Sequence, residues 1–194
     1  MFFLFLFTHR STPFVINFST ICSVCFTKND ILELEGKFFI GGMFMYKYKK
    51  ILVAVDGSKE AEWAFKKAIE IAKRNDASLV LSHIIDVRSF ATIEAYDRTV
   101  AERAEKFAKE LLQSYEKQAV DAGVKEVVTD IEYGSPKVKI SKEVAPKYEV
   151  DLIVCGATGM SAVERFFIGS VSEHITRYAK CDVLVVRTPE QTEA

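Results

Sequence analysis

Hydrophobic and polar residues form a regular succession of blocks along residues 46–194. Short runs rich in branched apolar residues, which are typical of strands buried on both faces, occur five times. These runs are residues 51–55, 78–85, 126–133, 150–155 and 183–186. The stretches between them carry apolar residues at helical spacing. Because strands and helices alternate in this order, the pattern predicts a doubly wound α/β fold with a parallel sheet.

Local signals mark where the predicted helices begin and end. Ser58 follows the first strand and is a good N-cap residue. A long helix is predicted over residues 98–122, with Gly123 placed to end it. Its predicted inner stripe is Ala101, Ala104, Ala108, Leu111, Tyr115 and Ala122. A shorter helix is predicted to start at Ser135 and Pro136, and the last helix covers residues 170–179.

Residues 1–45 lack this order. Ten of the 15 phenylalanines precede Tyr48, and neither periodicity persists in this segment. The opening MFFLFLF has no basic region and no clean cleavage site, so it does not match a secretory signal. We predict that this extension lies outside the natural protein, with translation starting at Met43 or Met45, which an intact-mass measurement tests. The alternatives are a disordered tail and a tail that binds a membrane or a partner.

Composition narrows the class of protein. The net charge of -1 disfavours a dedicated nucleic-acid binder. No apolar run reaches the ~18 residues of a membrane-spanning helix. The four cysteines are Cys22, Cys25, Cys155 and Cys181. Only the last two lie in the ordered pattern, which favours a reducing cytoplasm over a disulfide scaffold. The first two have CxxC spacing, but a zinc site needs a second pair nearby.

Three of the nine glycines fall in one window, GATGMSAVERFFIGSVSEH, residues 156–174. The window starts where the fourth strand ends and finishes on the start of the last helix, which is the layout of a phosphate site. Glycine allows close approach and positive φ, and a helix N-terminus offers N–H groups to an anion. Ser170 and Ser172 add hydroxyl donors. The alternative is that the glycines only turn the chain. The window is not a P-loop, which needs lysine before the serine.

The spacing G-x2-G-x9-G-[ST] at the end of an α/β domain resembles the ATP-binding branch of the universal stress protein family. ILVAVDGS, SHIID and CDVLVVR resemble other strand ends of that family, and the likeness spans about residues 49–187. It implies that residues 46–194 form one nucleotide-binding domain. Its fold would be the adenine nucleotide alpha hydrolase-like one, with five parallel strands in the order 3-2-1-4-5.

The resemblance also implies a ligand, site residues and an assembly. The ligand would be ATP accompanied by Mg²⁺. The adenine pocket would consist of Ala54, Val55, Asp56 and Ile84. The ribose and phosphates would lie along Gly156, Gly159, Gly169, Ser170, Val171 and Ser172. A homodimer would form through the last strand, from Val183 to Val186. Thr158 and Asp182 depart from the basic or histidine residue and the proline that many relatives carry there.

Catalytic chemistry is not indicated. His83 lies inside a predicted strand and is expected to be a core residue, while His174 is expected to face solvent. Arg165 is the one cation within the glycine window that could assist phosphoryl transfer. We therefore expect a cytoplasmic, regulatory nucleotide-binding protein with little or no turnover, which acts without nucleic acid or membrane. The alternatives are a slow ATPase or nucleotidyl transferase that needs a partner, and a dimerising scaffold that binds no nucleotide.

Overall fold

The computed structural model describes residues 32–34, 37–40, 43–86, 98–159 and 168–188, with side chains from residue 47 onward except those of residues 98 and 99. The chain divides into two compact units, Met1–Tyr46 and Lys47–Ala194. In the first unit, β1 (Leu32–Leu34), β2 (Lys37–Ile40) and β3 (Met43–Tyr46) form an antiparallel sheet in that order. The origin proposed above for residues 1–45 stays a prediction.

The second unit contains five parallel strands. They are β4 (Lys50–Ala54), β5 (Ser78–Ile85), β6 (Val127–Tyr133), β7 (Leu152–Gly156) and β8 (Asp182–Val186). Their order is β6-β5-β4-β7-β8, which is 3-2-1-4-5 within the unit and confirms the predicted topology. Ile51 of β4 lies opposite Leu79 of β5 and Leu152 of β7, so the most buried strands form the centre of the sheet.

The helices that connect these strands cover both faces of the sheet. Helices α1 (Lys59–Asn75) and α2 (Arg98–Asp121) pack on one face. The other face is covered by α5 (Ser170–Tyr178) and by a continuous helical segment. This segment consists of α3 (Pro136–Lys139), a π-helical turn (Ile140–Val144) and α4 (Ala145–Tyr148). Alternate residues of each strand therefore enter two separate apolar cores.

Helix α1 begins as the sequence predicts. Ser58 has extended backbone angles, and its Oγ accepts a hydrogen bond from the Ala61 N–H at 3.1 Å. Ala61, Ala64 and Ala68 are buried against the sheet. These small side chains bring the helix axis close to the strands, which matters for the site described below.

The predicted inner stripe of α2 needs correction. Ala108 and Tyr115 are buried as expected, but Ala101 is exposed. Leu112 and Ala119 complete the buried face in its place. The helix thus packs on the sheet from about Ala108 onward.

Candidate functional site

The candidate site lies at the carboxyl ends of β4 and β7. The connection that leaves the carboxyl end of β4 leads to β5 on one side, whereas the connection that leaves the carboxyl end of β7 leads to β8 on the other side. The chain order reverses here, and parallel sheets bind ligands at such a reversal. Asp56 follows β4 at this point, and its Oδ1 accepts a hydrogen bond from the Ser58 N–H at 2.9 Å. This bond orients the carboxylate beside the carboxyl end of β7, and the region between Asp56 and the start of α5 is called the cleft below.

Gly159 lies directly against that carboxylate. A Cβ atom on Gly159 would come within 2.7 Å of Asp56 Oδ2. The structure therefore brings together two predicted site residues that are 103 positions apart in the sequence (159 − 56). Any side chain at this glycine would displace the carboxylate that the resemblance assigns to adenosine.

Gly156 has a different neighbour. A Cβ atom there would meet Glu60 Cβ at 2.8 Å and the Glu60 carbonyl carbon at 2.9 Å. The first turn of α1 thus packs against the end of β7 with no room for a side chain. Glu60 was not predicted from the sequence, because nothing in the chain shows which glycine a helix will approach.

The three glycines of the window, all of which lie among the described residues, do not have positive φ angles. Positive φ occurs at Gly57, Gly123 and Gly134, while Gly156, Gly159 and Gly169 have ordinary backbone angles. Of the two properties that glycine offers, close approach is therefore the one that these three positions use. Close approach by neighbouring atoms is the physical reason for glycine at all three positions.

Gly169 joins the window to α5. Its N–H donates to Ala157 O at 2.7 Å, and a Cβ atom would lie 3.2 Å from the same oxygen. The Glu173 N–H makes the first α-helical bond, to Gly169 O at 2.9 Å. The N–H groups of Ser170, Val171 and Ser172 therefore have no acceptor within α5. They form the positive end of the helix dipole at the edge of the cleft.

The two predicted serine donors differ. Ser170 is exposed, whereas Ser172 is buried and its Oγ donates to Gly156 O at 2.7 Å. The hydroxyl hydrogen of Ser172 thus ties α5 to the end of β7. Of the two side chains, that of Ser170 is the one exposed to solvent, next to the start of α5.

The predicted adenine pocket lies beside Asp56. Val55 is buried, and its N–H donates to Ser82 O at 3.0 Å. Main-chain groups alternate sides along a strand, so those of Ile84 also point toward β4, beyond its last residue, Ala54. The Ile84 side chain is buried in the apolar core on the face that α5 and the segment from α3 to α4 cover. Its main chain is thus the part of Ile84 that faces the cleft.

The two histidines that the structure describes, His83 and His174, each contact neighbouring groups of the fold. His83 is buried, and its Nδ1 lies 2.8 Å from Val55 O, which confirms the expected core histidine. His174 is half-buried and stacks on Tyr178 with ring centroids 4.3 Å apart, so the expectation that it faces solvent is wrong. Arg165 lies outside the described residues.

Several further properties bear on the chemistry of the site. Burial raises the pKa of the Cys155 thiol to about 11, so Cys155, which precedes Gly156, stays protonated near neutral pH.

Among the described residues, no three His, Cys, Asp or Glu side chains are grouped as metal ligands. None of the helices in the described ranges is long and apolar enough to span a membrane.

Comparison with known proteins defines the class to which this fold and cleft belong. The model of the universal stress protein family matches residues 47–187. A universal stress protein of Staphylococcus haemolyticus is 55% identical over 149 residues, which cover 77% of this chain and 90% of that protein. The chain therefore belongs to the universal stress protein family.

Solved structures agree with this assignment. UspA from Lactobacillus plantarum has 30% sequence identity and a TM-score of 0.63, covering 74% of this chain and 100% of that chain. A universal stress protein crystallised in complex with cAMP has 24% identity and a TM-score of 0.55, covering 74% of this chain and 99% of that chain. The second likeness is one of fold.

Proposed function

We propose that this protein is a cytoplasmic regulatory protein that binds ATP and hydrolyses it little or not at all. One observation carries the proposal: Gly159 lies against the Asp56 carboxylate, and Gly169 at the start of α5 lies against Ala157 and Thr158, which directly precede Gly159. The cleft offers a carboxylate at one end and helix N–H groups at the other. A nucleotide needs both, since its ribose hydroxyls donate hydrogen bonds and its phosphates accept them.

The adenine end of the proposed site depends on main-chain groups. The Ile84 N–H and C=O point past the end of β4 and can pair with the edge of the adenine ring. The half-buried Ala54 and the buried Val55 supply the floor. The known cAMP complex of a family member is an example of this fold holding an adenine nucleotide.

Phosphates are assigned to the other end of the cleft. The main-chain N–H groups of residues 170–172 and the Ser170 hydroxyl are donors there. Mg²⁺ would arrive bound to the triphosphate, because the described residues provide no cluster of carboxylates to hold it independently. In this proposal the cation neutralises phosphate charge and Asp56 binds the ribose.

The absence of basic side chains among the ten predicted site residues favours binding over catalysis. Transfer of a phosphoryl group requires positive charge on the group in flight and an oriented nucleophile. The site positions 54–56, 84, 156, 159 and 169–172 include no lysine, arginine or histidine. A regulatory protein that changes its interactions with bound nucleotide fits this composition better than an enzyme.

Strand β8 supports a second element of the proposal, a homodimer. It lies at the edge of the sheet, and Val183, Leu184 and Val185 are only half-buried. An apolar edge strand is an available template for pairing with another strand. A second copy of β8 would cover these side chains and continue the sheet.

Isothermal titration calorimetry with Mg-ATP, ADP and AMP tests the binding proposal, after a check for nucleotide retained in purification. We expect micromolar affinity that is highest for the triphosphate. Gly169→Val should abolish binding, since its side chain would press on Ala157 O. Ser114→Val, a β-branched substitution at an exposed position of α2, is the control. No binding and no retained nucleotide would refute the proposal and favour a dimerising scaffold.

A further inference from the structure

Phe107 is exposed at the same edge of the unit as the candidate site. It lies in the early turns of α2, and 49% of its surface is accessible. Its Cζ is 3.4 Å from the position that a Cβ atom on Gly57 would occupy. Gly57 has φ +85°, which strains any other residue, so it leaves the ring uncovered next to Asp56.

The ring is held by its surroundings. The centroids of the Phe107 and His83 rings are 6.1 Å apart with an interplanar angle of 72°, an edge-to-face arrangement. His83 is itself fixed by Val55 O at 2.8 Å. Leu111 lies near the same point on Gly57, at 3.8 Å. A ring supported on one side and open on the other is suited to contact a flat ligand.

The order of groups along the cleft has a direction. Successive contacts lead from Phe107 to Gly57 and its neighbour Asp56, from Asp56 to Gly159, and from the adjacent Thr158 to Gly169 at the start of α5. The apolar aromatic end is thus separated from the anion-binding end by a carboxylate. A nucleotide has the same succession of aromatic base, hydroxylated sugar and phosphate.

We infer that Phe107 forms the base-side wall of the nucleotide site and contacts the adenine ring. The inference rests on the proposed function, and it assigns a side chain from α2 that the family resemblance does not supply. Contact between a base and an aromatic side chain stabilises the complex through the π-face and is insensitive to the phosphate chain. The contribution of Phe107 should therefore be the same for AMP and for ATP.

The test measures calorimetric affinities of full-length variants for Mg-ATP and AMP. Phe107→Ala should raise the Kd of both nucleotides by a similar factor of about tenfold, which corresponds to about 1.4 kcal/mol. Phe107→Tyr should retain most of the affinity, because it keeps the ring. Val120→Ala removes a similarly exposed apolar side chain at 55% accessibility elsewhere on α2 and should change nothing.

Three results would overturn the inference: unchanged affinity in Phe107→Ala, equal losses in Phe107→Ala and Phe107→Tyr, or a loss confined to ATP. If Phe107→Ala does not fold, Phe107→Leu replaces it, since leucine keeps apolar volume but has no ring face. Failure of the proposed function gives a different result. In that case the unsubstituted chain binds neither nucleotide, whereas failure of the inference alone leaves its affinity intact.

Discussion

At the scale of single residues, the three glycines of the window have three different neighbours. Gly156 contacts the first turn of α1, Gly159 contacts the Asp56 carboxylate and Gly169 contacts the loop after β7. A shared sequence pattern thus combines one contact with a helix backbone and two contacts within the candidate site. Substitutions should separate these roles, because only one of them acts on the fold alone.

Gly156→Ala should lower the free energy of unfolding by about 1–3 kcal/mol, since the new methyl group meets helix backbone that cannot move independently. Gly159→Ala should cost at most about 1 kcal/mol, because the atom it meets is the end of a side chain that can rotate. Urea denaturation followed by circular dichroism measures both. Equal stabilities for the two variants would contradict the assignment of Gly156 to packing.

The two serines of α5 provide a second matched pair. Ser172→Ala leaves the buried Gly156 carbonyl without its donor, which should cost about 1–3 kcal/mol of stability. Ser170→Ala should change stability by no more than about 0.5 kcal/mol, as at other exposed positions. Urea denaturation measures both changes in stability. Calorimetry should in addition show weaker ATP binding for Ser170→Ala. A stable Ser172→Ala would show that Ser172 Oγ is dispensable for the fold.

At the scale of helices and strands, the features that depend on hydrophobic periodicity alone could be predicted from the sequence. All five strands of the second unit lie within two residues of their predicted bounds, because buried parallel strands are continuous apolar runs. The inner stripe of α2 was partly wrong, since periodicity gives the phase of a helix but not where its contact with the sheet starts. Ala101 is in phase with the buried face yet exposed.

Features that depend on a partner element could not be predicted. The π-helical turn at Ile140–Val144 adds a residue to one turn, and no local signal marks it. The packing of Glu60 against Gly156 requires the relative placement of α1 and β7. Phe107 resembles any core phenylalanine of a helix until Gly57 is found beside it. The candidate site residues on one strand–loop–helix segment share a sequence pattern, whereas Glu60 of α1 and Phe107 of α2, which lie beside glycines near them, have none.

Strand β8 gives a prediction about assembly. Its Asp182 N–H bonds to Asp151 O and its Val186 O accepts from the Ala157 N–H, both on the β7 side. By alternation, the main-chain groups of Val183 and Val185 point to the open edge. Val185→Pro removes an outward N–H without breaking a bond to β7, and should convert a dimer to a monomer.

Sedimentation velocity of Val185→Pro measures this change, with Val185→Thr as the control that keeps both the branch and the N–H. Thermal unfolding of both variants establishes that the monomer is folded. If the two variants have the same oligomeric state as the unsubstituted protein, β8 is not the dimer contact.

At the scale of the whole molecule, a ligand that binds only the folded state raises its stability. ATP at 100 times its Kd should add about 2.7 kcal/mol. For a domain of this size that corresponds to a rise in Tm of about 5–10 °C. Differential scanning fluorimetry with and without Mg-ATP measures the shift, and Gly169→Val should show none. A shift of equal size in Gly169→Val would place the nucleotide elsewhere.

Turnover should be minimal for the molecule as a whole. Because the predicted site residues lack a basic side chain, we expect purified protein to hydrolyse ATP well below ~1 per second, the low end of ordinary enzymes. Phosphate release measured over hours at saturating Mg-ATP checks this. A faster rate, lost in Gly169→Val, would instead establish an ATPase at this site.

The buried thiol of Cys155 can report local unfolding at the centre of the sheet, because it reacts only when the strand opens. Its pKa of about 11 leaves about one thiolate in a thousand at pH 8, so alkylation must await local unfolding of β7. Cys181 is half-buried and serves as an internal reference for reagent access. The raised pKa also means that stability is full below the ordinary thiol value of 9.0 and declines as the pH rises toward about 11. Mass spectrometry of the cysteine-containing peptides measures the alkylation rate of each thiol. A bound ligand should therefore slow the alkylation of Cys155 and leave the alkylation rate of Cys181 unchanged.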